Sequence, residues 1–168
     1  MTPGSGGDVT VVVADERSAG DSPDVAVDLD RWERLAGAAL VAEGAVGELT
    51  LTFVDASEIA SLNEEYMGKP GPTDVLSFPM DDEPTPGVPT LLGDVVVSPA
   101  VAAQQCADHA GTVDDELALL VVHGVLHVLG HDHAEADETA LMRRREVELL
   151  EAHHWSAPAP PGFRQTHD

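Results

Sequence analysis

The stretch from Leu117 to Leu129, "LALLVVHGVLHVL", constrains the fold most. It carries no Asp, Glu, Lys or Arg and no turn residue other than one glycine. An apolar run of this kind reads as a helix buried on every side, which belongs in the core of a domain. It falls short of the ~20 residues that a membrane span needs. Thr112 stands where it can cap the start, and Gly130 stands where a positive φ can end the helix. The two polar side chains inside the run are His123 and His127. Each helical residue turns about 100°, so a step of four leaves these two imidazoles only about 40° apart, one turn up. They point the same way.

The rest of the chain supplies what such a helix packs against. "VTVVVAD" (Val9–Asp15) is nearly all β-branched and reads as a strand. A helix is expected from Asp28 to about Glu43, with Leu29, Trp32, Leu35, Leu40 and Val41 as its apolar face and Gly44 as its stop. "ELTLTFVD" (Glu48–Asp55) alternates like a half-buried strand. Asp55 and Glu58 suggest a capping box for a helix to about Tyr66. Strands follow at Asp74–Met80 and Gly93–Pro99, separated by the acidic, proline-rich "DDEPTPGVPT". Helices then run from Pro99 to about His109, from Thr112 to Leu129, and from about Asp137 to Ala152. The order β-α-β-α-β-β-α-α-α predicts an α+β fold, a small mixed four-stranded sheet covered by about five helices. Residues 1–8 read as a disordered extension, 9–154 as one domain, and 155–168 as a loose, proline-rich tail.

The histidines extend beyond the helix. Written out, His123 to His133 is H-x-x-x-H-x-x-G-x-x-H. After Gly130 the chain can fold back and bring His133 to the first two rings. Three neutral imidazoles leave a fourth position open, which is the arrangement of a catalytic zinc. A structural site would recruit thiolates, and Cys106 is the one cysteine. The spacing does not select zinc over nickel, copper or iron. His131 reads as a wall residue beside the ligands. Asp132 either orients a ligating imidazole or caps the turn. His109, His153, His154 and His167 lack this spacing and read as surface residues. Metzincin proteases share the spacing, but they place a general-base glutamate directly after the first histidine. Here that position is Gly124, so peptide hydrolysis by that route lacks its base. Phosphodiester hydrolysis, with water activated by the metal, remains open.

Three stretches together carry a family resemblance. "LNEEYMGKPGPTDVLSFPM" (Leu62–Met80), "LLGDVVVSP" (Leu91–Pro99) and "HGVLHVLGHDH" (His123–His133) resemble, in this order along the chain, motifs of the YbeY-type endoribonucleases. The resemblance covers roughly Val9 to Leu150. It implies a compact α+β fold, one zinc-type ion on His123, His127 and His133, and cleavage of single-stranded RNA. It further implies a role at the 3′ end of small-subunit ribosomal RNA and in ribosome quality control. Many members carry an arginine directly after the aromatic of "LNxxY"; here that position is Met67, which cannot hold a phosphate. Either Lys69 takes over the arginine's part or cleavage is weaker. Asn63 either faces the site or caps the local backbone. Ser77, in mid-strand, either packs or lines the groove, and Thr73 and Asp74 are expected to pin the strand start.

The charge sits awkwardly with RNA. Thirty-one acids face eight bases, for a formal net charge of −23, and Lys69 is the one lysine. Such a field repels nucleic acid at long range and attracts basic partners. Arg143–Arg145 is the densest basic spot, but successive helical residues diverge by about 100°, so salt bridges with neighbouring acids are expected there. The expected partners are single-stranded ribosomal RNA and ribosomal subunits or basic ribosomal proteins. No membrane association is expected, nor a secretory signal, so the location is read as cytoplasmic and the protein as a monomer. Two other readings stand beside the nuclease: a zinc-dependent peptidase-like hydrolase, and a non-catalytic ribosome assembly factor.

Overall fold

A computed structural model describes residues 8–18, 25–71, 73–80, 90–131 and 135–165. The strands are β1 (Val9–Asp15), β2 (Gly47–Phe53), β3 (Val75–Pro79) and β4 (Leu91–Val97). The helices are α1 (Leu29–Ala42), α2 (Ala56–Met67), α3 (Pro99–Gln105), α4 (Val113–Val128) and α5 (Ala136–Leu150). Element order and class are those the sequence predicts. The expected N-terminal extension lies outside the described residues up to residue 7, as do most of the acidic loop (residues 81–89), Asp132 and His133.

The sheet order is β1-β2-β4-β3, with β1, β2 and β4 parallel and β3 antiparallel to β4. A parallel pair needs a crossover, and α1 supplies it between β1 and β2. The alternation of β2 decides which face is dry: Leu49, Leu51 and Phe53 are fully buried, while Thr50 and Thr52 between them are half-buried. Val95 and Val97 of β4 join the dry face. Over it lie α1, through Trp32, Leu35, Ala36, Ala39 and Leu40, and α4. Burial of each large side chain here contributes roughly 1.5–3 kcal/mol. The opposite face carries a smaller cluster of Val54, Ile59, Leu76 and Val96 under α2.

Helix α4 is buried almost throughout, from Glu116 to Leu126, as its composition requires. Thr112 caps it by accepting from the Asp115 amide at 3.1 Å, and Asp114, Asp115 and Glu116 set negative charge on its N-terminal dipole. Glu116 is fully buried but satisfied: it accepts from Gln105, from the Ala110 amide and from His109.

Four expectations need correction. Asp55 precedes α2 but makes no cap; its carboxylate turns instead to the amide and hydroxyl of Ser18, at 3.0 and 2.7 Å. His109 is not a surface residue, being bonded to Glu116 at 3.2 Å. Neither is His154, whose side chain is 3% exposed and lies between Arg31, Asp115 and Trp32. The segment after the last helix is not loose where it is described: a π-helical turn (Glu151–Trp155) continues α5, and Trp155 and Phe163 pack on the core with ring centroids 4.9 Å apart.

Candidate metal centre

Helix α4 delivers His123 and His127 to one place. Their ring centroids lie 4.6 Å apart at 79°. His123 is 6% exposed and His127 half-buried. Both line a groove of about 510 Å³ between α4, β3 and the end of α2. The helix ends at Gly130, with φ +105°, a conformation that side-chain-bearing residues rarely adopt. The His131 amide then returns to the Leu126 carbonyl at 2.9 Å. Asp132 and His133 follow directly, outside the described residues.

Behind His123 stands a residue that sequence reasoning missed. Glu146 of α5 is 2% exposed, and its Oε2 lies 2.6 Å from His123 Nδ1. A carboxylate only accepts, so Nδ1 carries a proton and Nε2 is the nitrogen left to bind a metal. Metal-ligating histidines usually donate their other ring N–H in this way. The chemistry of the donor set therefore fits a transition metal: two imidazoles on one face, one already held in a ligating tautomer. A signal for Glu146 existed. The buried positions of α5 are Met142, Glu146, Leu149 and Leu150, so a glutamate stands in the apolar stripe.

The other candidates divide. Met67, Lys69, Asn63 and Ser77 all line the groove. Lys69 follows Gly68, which closes α2 at φ +68°, and makes no ion pair among the described residues. Asn63 donates to the Gly71 carbonyl at 3.0 Å, so it pins the loop that carries Lys69. Ser77 donates to the Gly124 carbonyl at 3.3 Å and ties β3 to the ligand helix. Asp74 accepts from Gln105 at 2.5 Å, and its carbonyl takes the Ser98 amide. His131 is not brought to the groove. Its Nε2 meets Glu43 Oε1 at 3.2 Å instead.

Two charged clusters lie elsewhere. Arg145 pairs with Glu43 and, at 3.0 Å, with Glu148, which holds its guanidinium pKa above the usual value. Asp114, Asp115 and His154 come within metal-sharing distance. The guanidinium of Arg31 is already among them, 2.5 Å from Asp114 and 3.1 Å from His154 Nδ1, and Trp155 Nε1 donates to Asp115. Arginine is the cation of that cluster. Among the described residues no helix is long and apolar enough to cross a membrane.

Known proteins resemble this chain. The family model described as "Endoribonuclease YbeY" matches residues 21–154. The chain belongs to the YbeY endoribonuclease family. A curated Endoribonuclease YbeY of Mycolicibacterium vanbaalenii is 48% identical over 126 residues, which is 70% of this chain and 67% of that protein. One from Acidothermus cellulolyticus is 52% identical over 123 residues, 67% of this chain and 73% of that protein. Another, from Mycolicibacterium gilvum, is matched over 62% of its length at 51% identity. A solution structure of a Thermotoga maritima protein shares the fold, with a TM-score of 0.54 and 21% identity over 93% of this chain and 97% of that one.

Proposed function

We propose that this protein is a metal-dependent endoribonuclease that cuts single-stranded ribosomal RNA during maturation of the small-subunit 3′ end. Family membership supports the reaction class. The observation that carries the site is the pair His123 and His127 on one helical face, with Glu146 behind the first ring, at the floor of an open groove. His123, His127 and His133 would hold one ion, zinc in this reading. Such an ion supplies Lewis-acid chemistry, lowering the pKa of water and polarising a phosphate oxygen.

The chain's own residues do the rest. Glu146 holds the His123 ring. Ser77 and Asn63 hold the walls, one through the Gly124 carbonyl and the other through the Gly71 carbonyl. Lys69, the one Lys or Arg among the described residues that line the groove, brings its ammonium to the RNA backbone. Met67 lines the same wall as an apolar surface, exposed to 43%. It lets a base slide along but gives no charge to a phosphate, and this favours slow cleavage. The same residue lends some weight to the assembly-factor reading.

The peptidase reading weakens further at Gly124. A β-carbon there would lie 2.5 Å from Val95 Cγ1, so the position has no room for a glutamate. Ribosomal subunits, through basic ribosomal proteins, are the proposed partners of the acidic surface, and a cytoplasmic monomer is the proposed form.

The test is direct. Zinc-loaded protein is incubated with single-stranded RNA, double-stranded RNA and casein, beside His127→Ala. Cleavage of the single strand alone, lost in the variant, is expected. Cleavage of casein alone overturns the reading. Ribosome binding without any cleavage favours the assembly factor.

A further inference from the structure

We infer that Glu146 and Gln165 are positioning residues that fix the His123 ring for a metal ion, which makes the carboxyl-terminal segment part of the centre's support. The inference rests on the metal-site reading above and adds residues to it. It starts from an electrostatic oddity. Glu146 is a carboxylate at 2% exposure, yet among the described residues no Lys or Arg pairs with it. Its neighbour Arg145 is committed to Glu43 and Glu148. A buried carboxylate without a cation is costly unless charge or hydrogen bonds compensate. Glu146 is offered two N–H donors instead, one per oxygen. His123 Nδ1 serves Oε2 at 2.6 Å, and Gln165 Nε2 serves Oε1 at 2.8 Å. With Nδ1 turned to Glu146, Nε2 is the ring nitrogen left to bind a metal.

Gln165 is itself held. The same amide nitrogen donates to the Arg143 carbonyl at 2.8 Å, so both of its hydrogens are used. The segment that brings it there is docked along its length. The Ala159 amide donates to Glu151 at 2.9 Å, Phe163 meets Trp155 edge-on, and the Arg164 amide donates to the His109 carbonyl at 3.1 Å. From Gln165 to Glu146 to His123 is thus a continuous chain of hydrogen bonds between groups that cannot easily swing. With both carboxylate oxygens engaged, the plane of Glu146 is fixed. The His123 ring can then neither flip nor move its proton to Nε2 without losing a buried bond.

The experiment uses the full chain in three forms: wild type, Glu146→Gln and Gln165→Ala. Histidine nitrogen NMR of the metal-free protein reads the tautomer of His123. Competition with a chromophoric chelator reads zinc affinity, and circular dichroism checks the fold. We expect a proton on Nδ1 in the wild type. Glu146→Gln should weaken zinc by about 10–100-fold, with the tautomer no longer single. Gln165→Ala, which touches no ligand, should weaken zinc by several-fold and keep the fold. Wild-type zinc affinity in a folded Glu146→Gln protein overturns the inference, as does a proton on Nε2 in the wild type. Unchanged affinity in Gln165→Ala removes the carboxyl-terminal segment from it. Wild-type protein that binds no zinc but shows the Nδ1 tautomer would sink the metal-site reading while leaving the hydrogen-bonded relay in place.

Discussion

Gly124 stands directly over Val95, and a β-carbon added to it would lie 2.5 Å from Val95 Cγ1. The ligand helix is therefore seated on β4 at a point where only glycine fits. Two effects oppose each other at this position. Alanine improves helix propensity over glycine by up to about 1 kcal/mol. Overpacking a rigid, fully buried valine costs about 1–3 kcal/mol. The second wins, so Gly124→Ala should lower stability by about 1–2 kcal/mol, read as a fall in the chemical-denaturation midpoint. Gly124→Glu should unfold the protein rather than create a peptidase.

Gly130 carries a second prediction. At φ +105° an L side chain is strained by roughly 1–2 kcal/mol. The cost falls on the turn that leads from His127 toward His133. Gly130→Ala should therefore lose zinc affinity by more than it loses global stability. A zinc titration beside a thermal melt checks this.

Cys106 gives a pH prediction. Burial first, and then the Glu116 carboxylate, push its thiol above the ordinary value. A folded pKa raised above the unfolded one of about 8.5 means the thiol's contribution to stability is present below that pH. It is lost as pH rises through the folded value. At pH 8 the folded protein should react slowly with a thiol reagent, and the urea-unfolded protein much faster. Equal rates would show the thiol to be ionised and open.

The formal charge of −23 makes ribosome binding a salt experiment. If basic proteins are met by the acidic surface, affinity for subunits should fall steeply between low and high ionic strength, as the Debye length shrinks from about 30 Å to about 3 Å. Salt-independent affinity would place the contact elsewhere.

The elements and the ligand helix were readable because local pattern decides them. Alternation marks β2, a continuous apolar run marks α4, and Thr112 and Gly130 mark its ends. What stayed hidden depends on partners distant in sequence. Glu146 meets His123 across 23 residues; its place in the apolar stripe of α5 marks it as buried but does not name its partner. His154 is buried because Arg31 and Trp32, 123 and 122 residues away, close over it. Asp55 has the position of a cap, but Ser18 offers it two donors that α2 does not match. Spacing along the chain says nothing of such competition.

The most direct measurement is a calorimetric zinc titration of the metal-free protein, repeated on the folded double variant His123→Ala, His127→Ala. One ion per chain for the wild type, and no binding for the variant, is the result expected. Undiminished binding by the variant would mean that the two imidazoles of α4 do not hold the metal.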